Sequence, residues 1–259
     1  MQQNETAAVT PGGTVDFGFE EVAATEKSGM VRSVFERVAE RYDLMNDVMS
    51  AGVHRLWKAN LLDWLAPRAG SHLLDVAGGT GDVARGYLKR TGGRARATVC
   101  DINAAMLSAG RGRRDSRDAS GAEVLQWACG DAEHLPFPDA SFDAVTIAFG
   151  IRNVTNRDAA LADMRRVLRP GGRFMCLEFS RVVVPGLDAA YRTYAFEAIP
   201  RLGRLVAGDE AAYRYLVESI WRFPDQETFA DMMARAGFAR VRFRNLSGGI
   251  AALHSGWRL

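Results

Sequence analysis

The chain has 259 residues, 47% of them hydrophobic and 25% charged, which is enough for one large domain with its own core. No uncharged apolar stretch approaches the ~20 residues of a membrane-spanning helix, and a net charge of +2 gives no reason to expect a nucleic-acid partner. Glu5, Asp16, Glu20, Glu21 and Glu26 all precede the first basic residue, Lys27, which argues against a secretory signal or an Arg-rich transit segment and for a cytoplasmic protein.

Residues 1–28 are polar and carry Pro11, Gly12 and Gly13; they read as a flexible arm, or one ordered late by contact with the body. From Met30 the apolar residues Val31, Val34, Phe35, Val38 and Tyr42 fall at helical spacing. A second helix is expected over 53–66, stopped by Pro67. Together they read as an N-terminal helical cap over 29–70. From His72 the chain alternates. Strand-like runs at 72–77, 96–101, 123–128, 142–148 and 173–179 are separated by helical stretches near 82–90, 103–114 and 156–168. The last helix shows Leu161, Met164, Val167 and Leu168 on one face, and Arg169-Pro170-Gly171-Gly172 stops it. Such alternation predicts a doubly wound α/β fold, a mostly parallel sheet with helices on both faces. A helix at about 225–236 then leads into Phe238–Leu246. Ser247-Gly248-Gly249 is too short for a parallel crossover, so the run Ile250–His254 must return antiparallel. Residues 29–259 read as a single domain with an insertion at 184–216. Cys100, Cys129 and Cys176 each fall in a strand-like run and read as buried, reduced thiols.

The first strand ends in Asp75-Val76-Ala77-Gly78-Gly79-Thr80-Gly81-Asp82. Glycines there allow a sharp turn and a close backbone approach to a ligand, and Gly79–Ala84 fits the dinucleotide pattern G-x-G-x-x-A. That signal is weak alone. Asp101 ends the second strand, where a carboxylate can accept from a ribose diol or, on another reading, cap the next helix. Gly130-Asp131-Ala132-Glu133 follows the third strand, and its acid can accept from an adenine amine. With Phe142-Asp143-Ala144-Val145 and Leu168-Arg169-Pro170-Gly171-Gly172, this ordered set resembles the class I methyltransferases. The resemblance implies a Rossmann-like, seven-stranded sheet and S-adenosylmethionine as methyl donor. The cofactor would be held by Asp75, Gly78, Gly79, Thr80, Gly81, Asp101, Ile102, Asp131 and Ala132. One departure is Ala77 at the first glycine position of the turn. It is small, and little is expected to follow from it.

Three further stretches narrow the resemblance. Tyr42-Asp43-Leu44-Met45-Asn46-Asp47 runs on to His54-Arg55-Leu56-Trp57-Lys58. Phe149-Gly150-Ile151-Arg152-Asn153-Val154 follows the fourth strand. Tyr213-Arg214-Tyr215-Leu216 runs on to Ser219-Ile220 and Pro224-Asp225-Gln226. Over about Met30 to Leu259 the chain resembles the ubiquinone/menaquinone biosynthesis C-methyltransferases. That implies C-methylation of a polyprenyl quinol ring, either a methoxy-polyprenyl-benzoquinol or demethylmenaquinol. It is compatible with peripheral contact at the inner face of the membrane, and with a homodimer or a quinone-synthesis complex. A methyl on a sulfonium is already electrophilic, so no metal is expected, and no second histidine stands at ligand spacing from His54. Arg152, Asn153 and Tyr42 are the expected catalytic residues. Arg152 would stabilise a developing phenolate or orient a water. Its alternative is a structural pairing with an acid such as Asp158. Asn153 would hydrogen-bond a quinol hydroxyl, and Tyr42 would face the ring or pack in the core. The mixed apolar and arginine pattern of 184–216 suits a bilayer surface, or equally an ordinary dimer or core helix. Two rivals remain. An amine methyltransferase would carry an Asn/Asp-Pro-Pro-aromatic motif after the fourth strand, which is absent here. A cofactor-binding scaffold subunit would lack turnover.

Overall fold

The computed structural model describes residues 13–38, 50, 52–112, 124–207 and 209–259. Chain order begins with a hairpin, β1 (Thr14–Phe17) and β2 (Glu20–Ala23), turned at Gly18 with φ +62°. Within the stretch expected as a flexible arm, residues 14–28 form this hairpin and the start of a helix. Phe17 stacks on Tyr215 at 4.2 Å between ring centroids, and this contact ties the hairpin to the body. Helix α1 (Ala24–Val38) follows directly, starting ahead of the periodicity from Met30. Helix α2 (His54–Leu65) is stopped by Ala66 in the left-handed region ahead of Pro67.

The alternating part comprises β3 (His72–Val76), α3 (Asp82–Arg90), β4 (Arg96–Asp101), α4 (Ala104–Arg111), β5 (Leu125–Cys129), β6 (Phe142–Ala148), α5 (Arg157–Val167) and β7 (Leu168–Phe179). Helix α5 stops where expected. The Arg169–Gly172 stretch belongs to the start of β7, with the register slipping between Phe142 and Ala144. Next come α6 (Leu187–Thr193), a wide π turn (Tyr194–Ala198) and α7 (Ile199–Ala207). Pro200 lacks the N–H that an α-helical bond would need there, which accounts for the widened turn before it. The chain closes with α8 (Glu210–Arg222), α9 (Gln226–Arg235), β8 (Ala239–Leu246), a short turn at Ser247–Gly249 and β9 (Ala251–Trp257).

Seven strands form one sheet in the order β5-β4-β3-β6-β7-β9-β8. The first five are parallel, and β9 joins β7 and β8 antiparallel, as the tight turn requires. The mostly parallel sheet with a final antiparallel hairpin is what the sequence pattern implies, and its seven strands are what the resemblance to the class I methyltransferases implies. Side chains alternate across it. Leu73, Val99, Met175 and Leu177 point to a layer with α2, α3 and α8. Leu74, Val76, Val145, Phe174 and Cys176 point to a layer with α5 and α9. In the inserted region, Tyr191, Ala195 and Ile199 are buried while Arg201 and Arg204 are exposed. No helix among the described residues is long and apolar enough to cross a membrane. Cys100 and Cys176 are buried thiols as expected, but Cys129 is exposed at the end of edge strand β5, where only one side is covered by a neighbouring strand.

His254 sits in the sheet beneath α9, 1% exposed, with Nε2–H donating to the Gln226 carbonyl at 2.9 Å and Nδ1 without a partner among the described residues. Burial pulls its pKa from 6.5 to about 4. The unfolded chain then takes up this proton first, so the stabilising effect is complete above pH 6.5 and is lost as pH falls toward 4. The full effect is about 3 kcal/mol. His254→Gln should give a melting temperature that declines less between pH 7 and 4.5 than that of the unaltered protein. Equal declines in parallel thermal melts would remove His254 as a source of acid sensitivity.

Candidate active site

The glycine turn between β3 and α3 shows why small residues are needed. Gly81 has φ +83°, and a Cβ there would lie 2.9 Å from Trp127. A Cβ on Gly78 would meet the Asp75 carboxylate at 2.8 Å. Ala77 itself stands at φ +49°, in the left-handed region where a Cβ costs roughly 1–2 kcal/mol. The departure at the first glycine position is thus a matter of backbone strain, not of size. Gly150 leaves room for it: a Cβ at Gly150 would lie 2.6 Å from the Ala77 Cβ. Gly81→Ala should lower stability by ~1–2 kcal/mol, or about 2–8 °C in melting temperature for a chain of this size, and loosen cofactor binding. A calorimetric scan with an unchanged transition would contradict the strain argument.

Asp101 ties this turn to the next. Its Oδ2 accepts from Gly79 N at 2.9 Å and its Oδ1 from Asn103 N at 2.8 Å. The cap of α4 is Asn103, whose Oδ1 accepts from Ala105 N and Met106 N, so the capping alternative for Asp101 falls away. Burial raises the Asp101 pKa against those two bonds. Asp75 is 1% exposed. Its Oδ1 accepts from Thr146 Oγ1 at 2.7 Å, and its Oδ2 has no hydrogen-bond partner among the described residues. Burial pushes its pKa up to about 7.

The strand order reverses between β3 and β6, and ligands in such sheets bind beyond the carboxyl ends of the strands at that point. A cleft of about 850 Å³, its open mouth included, lies there. It is lined by Gly79, Asp101, Ile102, Asp131, Ala132 and Asn153 among the residues expected from sequence. Ile102 stands 41% exposed at its wall. Asp75, Gly78 and Thr80 instead line a small hollow behind the glycine turn, together with Lys58 and Asp82, whose Nζ and Oδ2 are 3.1 Å apart. The cleft also receives Arg32 from α1 and Met106 from α4, which no motif singles out, together with Val31 from α1 and Phe149 from the stretch after β6. Phe149 has φ +58° and packs against Phe179 at 5.0 Å and Trp57 at 6.2 Å between ring centroids. Glu133 Oε1 accepts from Thr155 N and Asn156 N, closing the rim.

Arg152 is placed differently from the catalytic expectation. Its side chain is 2% exposed and does not line the cleft. Nη1 donates to Glu178 Oε1 at 2.9 Å and to the Phe149 carbonyl at 2.6 Å, and Nε donates to Ser219 Oγ at 3.3 Å. The guanidinium also lies over the Phe179 ring at 5.7 Å. The buried partner is Glu178 on β7, not Asp158. Burial pushes the Glu178 carboxyl up, against the pull of Arg152. The position after β6 sets where the Arg152 backbone stands, but a buried carboxylate on the next strand decides where its side chain goes. Asn153, by contrast, faces the cleft, with Oδ1 accepting from Tyr215 Oη at 3.2 Å. Tyr42 and the rest of Tyr42–Asp47 lie outside the described residues. His54 is buried and shares a hydrogen bond with Ser50 through Nδ1 at 3.1 Å.

Known proteins share both the sequence and the fold that build this cleft. Residues 22–258 match the ubiE/COQ5 methyltransferase family. The chain belongs to that family. It is 60% identical over 243 residues to the ubiquinone/menaquinone biosynthesis C-methyltransferase UbiE of Paracoccus denitrificans, covering 94% of this chain and 96% of that one. It is 54% identical to the protein of the same name from Bartonella tribocorum, over 99% of both chains. Among solved structures, an S-adenosylmethionine-dependent methyltransferase of Thermotoga maritima superposes with a TM-score of 0.62 at 20% identity, over 88% of this chain and 99% of that one. A phosphoethanolamine N-methyltransferase 2 of Haemonchus contortus, in complex with S-adenosylmethionine, gives 0.58 at 15% identity, over 78% of this chain and 52% of that one. Both structural likenesses establish the fold.

Proposed function

We propose that this chain transfers a methyl group from S-adenosylmethionine to a ring carbon of a polyprenyl quinol of the benzoquinol or naphthoquinol series, in ubiquinone or menaquinone biosynthesis. The observation that carries the reading is the cleft at the reversal of strand order, lined by the acids Asp101, Asp131 and Glu133, with Phe149 beside the glycine turn. It joins with family membership over nearly the whole chain. The donor set fits a cationic nucleoside. Asp101 and Asp131 can accept from hydroxyl and amine groups, while Ile102, Ala132 and Met106 offer apolar contact. Asp75, in the hollow behind the turn, has an Oδ2 with no hydrogen-bond partner among the described residues.

When bound, S-adenosylmethionine supplies a methyl carbon on a sulfonium, ready for displacement by a nucleophile. The protein must then align a ring carbon with it and increase the electron density of that carbon. Alignment alone can supply ~7–11 kcal/mol. Asn153 has its Oδ1 occupied by Tyr215, which leaves its amide N–H groups to donate to a quinol oxygen as that oxygen gains negative character. Phe149 and the side chains of α1 would exclude water around the ring. Arg152 acts one step back: by clamping the Phe149 carbonyl to Glu178 it holds the turn that presents Asn153. Peripheral contact with a membrane belongs to this reading, because a polyprenyl substrate resides there. Mass spectrometry of quinones from a cell lacking this protein should show a precursor lighter by one methyl, restored by the intact gene. An unchanged quinone profile would refute the reading.

A further inference from the structure

A second concave site lies at the other end of the sheet. It is lined by Trp64 from α2, Arg173 from β7, Arg240, Arg242 and Arg244 from β8, and Ser255 and Trp257 from β9. No carboxylate among the described residues pairs with any of these four arginines. Charged side chains on an edge strand discourage strand-to-strand aggregation, which would account for the three on β8. It does not account for Arg173, whose strand is paired on both sides. That guanidinium is held between two rings, 5.3 Å from the Trp64 centroid and 5.0 Å from that of Trp257, with Nε donating to Ser255 Oγ at 2.8 Å and Nη1 to the Trp64 carbonyl, which leaves Nη2 toward the concavity. Arg244 lies over Trp64 at 4.2 Å. Burial and the nearby Arg244 both disfavour the charge on Arg173. Arg240 adds a strained backbone, φ +52°, at a break in register between Ala239 and Arg242. Bulges of this kind re-aim side chains at functional edges.

From this arrangement we infer that Trp64, Arg173, Arg240, Arg242, Arg244 and Trp257 form an oxyanion site for a phosphate-bearing ligand, distinct from the methyl-transfer cleft. Planar guanidinium groups fixed by stacking on indoles match the geometry of phosphate oxygens, and they reach that geometry with little further ordering. These like charges repel one another, and a bound dianion or diester relieves that repulsion. The methyl-transfer cleft has the opposite character, with Asp101, Asp131 and Glu133 in its lining. Of these two sites, a phosphate probe is therefore directed to the arginine site and not to the cleft.

The test uses the full chain at constant ionic strength. Inorganic phosphate is titrated by calorimetry against a chloride control, and vesicles of phosphatidylglycerol are compared with vesicles of phosphatidylcholine by co-sedimentation. Phosphate should bind, and Arg242→Gln/Arg244→Gln should weaken it at least tenfold while leaving affinity for S-adenosylmethionine unchanged. Arg173→Gln should weaken it similarly. Preference for phosphatidylglycerol vesicles, lost in the double variant, identifies a lipid phosphodiester as the source. Phosphate binding without vesicle binding identifies a soluble phosphate. Failure of both probes, or equal binding by the double variant, overturns the inference.

Discussion

Arg152→Ala should be severely damaging, lowering stability by about 3–5 kcal/mol, because it leaves the fully buried Glu178 carboxylate without its cation. The Arg152 side chain bonds to Glu178, to the Phe149 carbonyl and to Ser219, and together these bonds hold residues 149–153 over the sheet. Arg152→Lys should recover little, since one ammonium cannot span the separate Nε and Nη1 partners. Turnover should fall as well, through displacement of Asn153. A role in positioning differs from direct contact with substrate in one measurable way. Glu178→Gln leaves Arg152 in place but breaks the clamp. If Arg152 acts through the clamp, Glu178→Gln lowers kcat, and adding Arg152→Ala lowers it by less than the product of the two single effects. Thermal melts and single-turnover methyl transfer on the cycle read both quantities. An Arg152→Ala protein as stable as the original, with Glu178→Gln fully active, would place Arg152 at the chemistry instead.

Asp101→Ala should weaken S-adenosylmethionine binding tenfold to a hundredfold. Hydrogen bonds to a charged acceptor contribute ~1.5–3 kcal/mol. Two effects add here. The carboxylate is lost to the ligand, and the bonds to Gly79 N and Asn103 N that shape the turn and the start of α4 are lost to the protein. Asp101→Asn should fall between, because its amide oxygen can keep one of the two backbone bonds. Calorimetry on a folded Asp101→Ala protein that showed unchanged affinity would remove this residue from the cofactor site.

Much of this was legible in the sequence because it is local. Strand and helix alternate with distinct apolar periods, and Ser247-Gly248-Gly249 is too short to allow anything but an antiparallel return. The cleft residues Gly79, Asp101, Ile102, Asp131 and Ala132 follow from strand ends, which the fold gathers along one edge. What escaped depends on distance in sequence. Arg152 and Glu178 are 26 positions apart, on adjacent strand ends, and no helical or strand period links them. The hairpin at 14–23 is short and polar, and its order depends on Phe17 meeting Tyr215 nearly two hundred residues on. The strain at Ala77 and Phe149 is a property of φ, which composition does not display. Trp64, Arg173 and the arginines of β8 come from three separate segments, so their convergence becomes visible only once the sheet is assembled.

Methyl transfer to a ring carbon is tested most directly on the purified protein, using S-adenosylmethionine with a deuterated methyl group and a demethylated polyprenyl quinol kept reduced. The product should carry the label on a ring carbon, located by fragmentation in the mass spectrometer, with both quinol hydroxyls free. Label on a hydroxyl oxygen, or no transfer by a folded protein that binds S-adenosylmethionine, would contradict ring methylation by this chain.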